Sequence, residues 1–314
     1  MQIREFRERN TKELVWVWNQ TLTKDLICEK NFKRKVLDDE NMDKKLMLVA
    51  EANQKIVGFI LAVKRKVPYL QRGLEPDVAW ITALGVLPAY RGMGIADTLL
   101  TEMEIRLSDY GAKKIVLGNY TPNYFMPGVD IVNYPCAEFL LEKHDYMRRE
   151  RGLSMYRNLF GYEIPKHIEE KQYKAEGNHY QFIKYKSIYE NKFMKFMENN
   201  FSADWFYFAK KLIEEEKAEA YIWLCISPED QVVGYAQRGI DDNRTRFGPF
   251  GVEEKYRDQS IGSILIANMM FDMASQGIYL IYFMTTDEPG ARFYTKHGFL
   301  SLREFFQYRK ELES

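Results

Sequence analysis

The chain has little cysteine, and the little it has is not arranged for chemistry: Cys28, Cys136 and Cys225 are scattered and odd in number. Such a set gives neither a disulfide framework nor a zinc knuckle. Histidine is as scarce. His144, His167, His179 and His297 form no HExxH pair and no cluster with cysteine, so no metal is expected. Net charge is missing too, with 45 Lys+Arg against 45 Asp+Glu. Proteins that track phosphate backbones are usually clearly basic, so no nucleic acid partner is expected. The short basic cluster Arg148-Arg149-Glu150-Arg151 reads as a solvated face. Long apolar runs are also absent. Ile56–Val63, the longest, falls far short of the roughly 20 residues that a membrane helix needs. The start, Met1-Gln2-Ile3-Arg4-Glu5, is too charged for a signal peptide. The expectation is a protein of the reduced cytoplasm with no membrane association.

What is present fits a globular protein: 314 residues, 46% hydrophobic and 29% charged, a length that suggests two domains. An internal repeat organises them. Leu84-Gly85-Val86-Leu87-Pro88-Ala89-Tyr90-Arg91 corresponds to Phe250-Gly251-Val252-Glu253-Glu254-Lys255-Tyr256-Arg257, at an offset of 166 residues. The same offset matches Ile95, Leu99, Met103 and Leu107 to Ile261, Leu265, Met269 and Met273. Steps of four put each quartet on one face of a helix. A hairpin around Asn53-Gln54 has a counterpart around Pro228-Glu229-Asp230, and Gly58 and Gly234 share a context. Both halves carry a late helix, Ala137–Lys143 before His144-Asp145-Tyr146 and Ala291–Lys296 before His297-Gly298-Phe299. The polar stretch Pro165–Asn178 is the join or, equally, an exposed helix. The division placed there gives domains at 1–168 and 169–314.

Between the apolar segment Ala79–Val86, a buried strand, and the first repeat helix lies Arg91-Gly92-Met93-Gly94-Ile95-Ala96. Glycines there let main chain approach an anion closely. The first N–H groups of the helix are unpaired, and its dipole favours negative charge. Neither GxxxxGK[ST] nor GxGxxG is complete.

Val86 through Ala96 resembles the acyl-CoA loop of the GCN5-related N-acetyltransferase (GNAT) superfamily, whose Arg/Gln-x-x-Gly-x-Gly/Ala pattern is met by Arg91, Gly94 and Ala96. Ala291-Arg292-Phe293-Tyr294-Thr295-Lys296-His297-Gly298-Phe299 resembles that superfamily's late helix and its Gly-Phe ending. The resemblance implies two tandem α/β domains, each a mixed, partly antiparallel sheet flanked by helices. It implies transfer of an acetyl group from acetyl-CoA, as co-substrate, to an amine of a small molecule or peptide. On that resemblance Leu84 and Val86 present main chain to the pantetheine, Val86 N–H also serves the oxyanion, and Arg91, Gly92, Met93, Gly94, Ile95 and Ala96 hold the pyrophosphate.

The halves are unequally equipped. In the second loop Asp258 replaces Gly92 and Ser260 replaces Gly94. A carboxylate there repels a diphosphate, so the second half is expected to bind CoA weakly or not at all. Conversely, the family's thiolate-protonating tyrosine is matched by Tyr294, whereas the first half offers Leu140 or Leu141. The first half also holds 12 extra residues within Asn119–Pro135. That insertion reads as an acceptor wall or lid, with Tyr120, Tyr124 and Phe125 as substrate-contacting candidates, or equally as a plug between domains. Tyr134 is the candidate acid or positioning group. The alternative is not an enzyme at all, but an acyl-CoA-binding sensor or assembly module.

Overall fold

The computed structural model describes residues 1–312. It falls into two units. The first holds, in chain order, β1 (Gln2–Glu5), α1 (Thr11–Thr21), α2 (Glu29–Phe32), β2 (Met47–Ala52), β3 (Lys55–Lys64), β4 (Val78–Val86), α3 (Ile95–Asp109), β5 (Lys114–Leu117), α4 (Cys136–Lys143) and the start of β6 (Met147–Asn158). The second holds α5 (Lys166–Gly177), β7 (Gln181–Lys184), α6 (Glu190–Asn200), α7 (Ala203–Glu214), α8 (Ala218–Tyr221), β8 (Ile222–Ile226), β9 (Val232–Arg238), β10 (Phe247–Val252), α9 (Ile261–Ser275), β11 (Leu280–Phe283) and α10 (Glu288–Lys296), after which β12 (Leu300–Glu311) ends the series. Each unit is an α/β arrangement of the kind expected, and the repeat order is the same in both.

Local chemistry explains the turns. Asn53 and Gln54 take φ of 51° and 63°, the conformation of a two-residue hairpin turn that follows the strand twist. β2 and β3 then pair antiparallel with Ala52 opposite Lys55. Pro165–Asn178 resolves as the helix α5, which begins directly after Pro165, a residue suited to a helix start. Of its residues only Ile168 is buried.

The repeat stripes are core. Ile95, Leu99, Met103 and Leu107 are buried against Leu48, Ile60 and Ile81. Ile261, Leu265, Met269 and Met273 are buried in the second unit. Burying each such side chain contributes about 1.5–3 kcal/mol before conformational entropy is counted. The shared glycine has a packing cause. A Cβ at Gly58 would lie 3.1 Å from the Gly85 carbonyl and 3.3 Å from Ile95 Cγ2. One at Gly234 would lie 3.1 Å from both Ile261 and Leu265.

In the first unit the strand order is β1-β2-β3-β4-β5-β12-β6. Two features of it differ from a division of the chain at residue 168. The segment from Arg303 onward belongs to the first unit, and the second begins at Ser154. The reason is pairing: Arg309, Lys310 and Glu311 of β12 lie opposite Val116, Ile115 and Lys114 of β5. In the second unit, residues 155–158 of β6 lie opposite β11, and β10-β9-β8-β7 form an antiparallel sheet.

One irregularity prepares the site. Along β3 and β4 the register runs Gly58↔Val86, Phe59↔Gly85, Ile60↔Leu84 and Leu61↔Ala83, then jumps to Ala62↔Ile81. Thr82 is the extra residue of a bulge. The parallel pairing of β4 with β5 ends at the same point, Ile81↔Leu117. From Thr82 to Val86, β4 has a strand partner on one side only.

Candidate active site

Hydrogen-bond alternation decides where the free edge of β4 points. Leu87 N–H donates to the Val57 carbonyl at 2.8 Å. Pairs Val86↔Gly58 and Leu84↔Ile60 are then the non-hydrogen-bonded kind, with their own N–H and C=O groups turned away from β3. Leu84 and Val86 therefore offer main-chain donors and acceptors to the side that β5 has left. Arg91 Nε donates to the Val86 carbonyl at 3.2 Å, which fixes the start of the loop and leaves the Val86 N–H facing the open edge.

After a short helical turn at Pro88–Tyr90, Gly92 and Gly94 both take φ of 75°. A side chain grown at either would meet no protein atom within 4 Å. The left-handed backbone accounts for glycine, and the open space accounts for access. Gly94 is the N-cap of α3, whose first N–H groups carry the positive end of the helix dipole. These residues fit a diphosphate: a cradle open to solvent, ending on a helix start. Arg91 and Met93 are exposed, while the Ile95 side chain is buried at 3% and serves the core. Its contribution to a ligand is restricted to the backbone. Asp97, in the first turn, is tied to Lys143 at 2.6 Å and His144 at 2.9 Å. Those hydrogen bonds hold its carboxyl below its ordinary pKa, and the lysine offsets its charge near the helix start.

The same elements recur in the second unit with a different filling. Asp258 and Ser260 take φ of 66° and 65°, so the loop keeps its left-handed shape without glycine. Arg257 Nε donates to the Val252 carbonyl at 3.3 Å. The free edge of β10, however, is covered. Phe250 stacks on Phe293 at 5.6 Å and 23°, and Tyr294 lies 4.4 Å from Phe283 and 6.2 Å from Phe247. A Cβ at Gly262, the counterpart of Ala96, would lie 3.1 Å from Phe250. Rings occupy the passage between α9 and α10. Burial raises the Tyr294 hydroxyl well above its ordinary pKa. It lowers His297 to about 4, with Arg157 and Lys171 adding to the effect.

The insertion splits into parts. Tyr120 is 2% exposed, packs on Trp80 at 5.5 Å, and donates to Asp39 at 3.1 Å while accepting from Asn41 at 2.9 Å. Phe125 packs on Trp18 at 5.1 Å. The Tyr124 carbonyl accepts from Lys35 at 2.9 Å. Val129 and Phe306 exchange backbone hydrogen bonds of 2.8 and 2.9 Å, which ties the insertion to β12. Tyr120 and Phe125 line one cavity with Thr82 and Asp39; the Tyr124 side chain does not line it. Tyr134 stands apart. Its hydroxyl donates to Asp25 at 2.7 Å and accepts from Lys24 N–H at 2.9 Å. Arg303 pairs with Asp25 and with Asp130, both at 2.7 Å. Burial, with Asp25 adding to it, raises the Tyr134 pKa. At the position of Tyr294 the first unit has Leu141, buried at 2%. Two arginines of the basic cluster are paired: Arg148 with Glu138 at 3.1 Å and Arg151 with Glu304 at 2.5 Å.

Two residues of the site that the sequence did not suggest are Thr82 and Asp39. A bulge depends on the partner strand and has no local signature. Asp39 sits in an acidic run, Asp38-Asp39-Glu40, that looks like surface.

Comparison with known proteins agrees with this arrangement. The model of the acetyltransferase (GNAT) family matches residues 3–125 and 185–299. Among solved structures, the chain is similar to a glucosamine N-acetyltransferase region in a fungal multi-domain β-N-acetylglucosaminidase. The TM-score is 0.80 and the identity 18%, over 98% of this chain and 38% of that one. It is similar to a GCN5-related N-acetyltransferase from Sphaerobacter thermophilus, with TM-score 0.73, 15% identity and coverage of 100% and 96%. It is also similar to a tandem GNAT protein of the clavulanic acid biosynthesis pathway, with TM-score 0.67, 13% identity and coverage of 100% and 99%. At these identities the structures show a shared fold.

Proposed function

The chain belongs to the acetyltransferase (GNAT) family, and on that premise we propose that its first unit transfers an acetyl group from acetyl-CoA to the amine of a small molecule or peptide. The observation that carries the reading is an unpaired strand edge followed directly by an unfilled glycine loop. The free edge of β4 leads without a break into Gly92, Gly94 and the start of α3. The second unit, with the same backbone, has rings on that path. We therefore assign acetyl-CoA to the first unit and a structural role to the second.

Placement supports the following roles. Leu84 and Val86 hydrogen-bond the pantetheine through main chain. The residues from Arg91 to Ala96 hold the diphosphate, Ile95 through its backbone alone. The Val86 N–H stabilises the oxyanion that forms when the amine nitrogen attacks the thioester carbonyl. The C–N bond forms, the C–S bond breaks, the nitrogen releases one proton, and the CoA thiolate takes one up. Tyr134 suits a positioning role better than that of the acid, because its proton is already shared with Asp25. A thiol of pKa about 8.5 is a fair leaving group without one, so water protonates it. Tyr120 forms part of the acceptor wall through its ring and its bond to Asp39, and Phe125 forms part of it through its ring. The unpaired cysteines Cys28, Cys136 and Cys225 agree with a cytoplasmic setting.

The test is calorimetry with acetyl-CoA followed by thiol release over an amine panel. One site per chain and turnover of an amine are expected. Binding without turnover across the panel would favour a sensor, a reading that the buried leucine at position 141 makes concrete.

A further inference from the structure

Asp97 puts a negative charge where an anion is to bind. It is the third residue of α3, which begins at Ile95, and the start of that helix ends the loop assigned above to the diphosphate. A carboxylate at the third helical position ordinarily reaches back to the N–H of the N-cap residue, here Gly94. Among the described residues no side chain caps this helix. The carboxylate is drawn to the side: Asp97 Oδ1 accepts from Lys143 Nζ at 2.6 Å and lies 2.9 Å from His144 Nε2, both at the end of α4. These two partners differ in how firmly they hold. The Lys143 side chain is 57% exposed and that of His144 9%. The imidazole is also fixed on its other side, where Nδ1 lies 3.5 Å from Glu104 Oε2, an oxygen that accepts from Lys310 Nζ at 2.9 Å.

The second unit repeats the contact without the charge. The repeat offset of 166 residues matches Asp97 to Ser263. His297, like His144, is the C-cap of its late helix, and its Nε2 lies 3.1 Å from Ser263 Oγ. In both units, then, a histidine at the end of the late helix meets the third residue of the long helix. Joining the two helices needs no carboxylate, since a neutral hydroxyl serves in the second unit. In the first unit the same histidine restrains a group that competes for the helix start.

We propose that His144 is a positioning residue for acetyl-CoA: it holds the Asp97 carboxylate against α4, so that the N–H groups at the start of α3 stay free for the diphosphate. The inference rests on the assignment of acetyl-CoA to the first unit and adds to it a residue outside the loop that sets affinity. His144 acts through Asp97. Once released, the carboxylate satisfies the helix start itself, as a capping side chain does, and the incoming anion must displace it. Glu104 keeps its partner Lys310 when the imidazole is removed, so the substitution strands no second charge.

The experiment is calorimetric titration of the full chain with acetyl-CoA, on the wild-type protein, His144→Ala, Asp97→Ala and the double variant, with Tm recorded for each. His144→Ala should weaken binding by about threefold to tenfold, the range of one capping bond. Asp97→Ala should not weaken it. In the double variant the loss should vanish, because no carboxylate remains to be restrained. A contact that only fastens α4 to α3 behaves differently. Either substitution breaks it, so Asp97→Ala would cost affinity too, and the double variant would stay as weak as His144→Ala. Either of those results overturns the proposal, as does His144→Ala with unaltered affinity, whatever its Tm. Should His144→Ala fail to fold, His144→Phe, which keeps a ring and removes both nitrogens, takes its place with the same expected values, and the Asp97→Ala measurement stands in any case. A wild-type protein that does not bind acetyl-CoA defeats the assignment of the ligand and this proposal with it. Binding by the wild type with the wrong pattern among the variants defeats this proposal alone.

Discussion

Placing a carboxylate in each loop separates the two units. At Gly94 the φ is 75° and a side chain would point into space free of protein atoms. Gly94→Glu therefore causes no clash within the protein. The left-handed conformation costs a non-glycine residue about 1–2 kcal/mol, and the lower entropy of the unfolded variant offsets about 0.4–1 kcal/mol. A net loss near 1 kcal/mol lowers Tm by about 2–4 °C in a domain of this size. Binding suffers far more. Two unit charges 4 Å apart repel by about 1 kcal/mol in water and about 4 kcal/mol at an effective dielectric of 20. A diphosphate carries more than one charge, and the side chain also fills its cradle. The affinity for acetyl-CoA should fall by at least about a hundredfold. Ser260→Glu makes the same chemical change in the other loop, where Ser260 already sits at φ 65° and rings cover the β10 edge. It should alter affinity by less than about twofold, since a charge outside the binding unit is screened by solvent. Calorimetry on both variants, with Tm as the control for folding, decides the matter. Equal losses, or a loss in Ser260→Glu alone, would refute the assignment of acetyl-CoA to the first unit.

Other consequences can be measured on single variants. Ser260→Gly relieves a left-handed serine and should raise stability by about 0.5–1 kcal/mol in denaturant titration; a destabilised variant would mean that the hydroxyl has a role the turn does not explain. Tyr294→Phe keeps the ring in its cluster and should change turnover by less than about threefold, whereas losing a true general acid costs about a hundredfold or more. Tyr134→Phe removes a hydroxyl that bonds a carboxylate and should cost about 1.5–3 kcal/mol of stability, with little effect on kcat; a large fall in kcat at unchanged Tm would make Tyr134 the acid. His297 is pushed down to about 4 by burial in the folded state, against 6.5 as its ordinary value. The unfolded chain thus binds the extra proton between those values, so this contribution to stability is present above pH 6.5 and is lost as pH falls towards 4. His297→Gln should flatten Tm against pH over that window, and an unchanged slope would reject the assignment.

Much of the scaffold could be read from local signals. The Asn53-Gln54 turn, the two four-residue-step helices and the two late helices depend on neighbours within a few positions, and each stands where the residues indicated. What could not be read depends on distant parts of the chain. The last strand carries no mark of its partner, yet Arg309 lies opposite Val116. The division of the chain near residue 168 followed sequence order, whereas compaction follows pairing, which moves the boundary to Ser154 and returns the stretch from Arg303 to the first unit. The open edge of β4 needed the register of β3 and the end of β5, and neither is local. Asp39 became conspicuous only when Asn123, Tyr120 and Thr82 were brought around it from other segments.

The two loops together separate shape from access. Glycine at positions 92 and 94 would ordinarily be explained by backbone conformation alone, since both have positive φ. The second loop weakens that explanation, because Asp258 and Ser260 hold the same conformation with side chains attached. The fold needs the left-handed turn wherever a strand passes through Pro88–Tyr90 or Glu254–Tyr256 into its long helix, and it tolerates the strain in one of the two. The glycines therefore signal something beyond the turn. In the first unit a side chain at either glycine would meet no protein atom within 4 Å, and β4 has no second strand partner beyond Ile81. In the second, Phe250 and Phe293 stand where the first has Leu84 and Leu140, and they close together over the start of α9. Phenylalanine at both positions fills the space over the start of α9, so the absence of glycine in the loop and the presence of rings beside it point the same way. On the proposed assignment, a loop that receives no diphosphate is free to carry Asp258, and a slot that receives no pantetheine is better packed with rings.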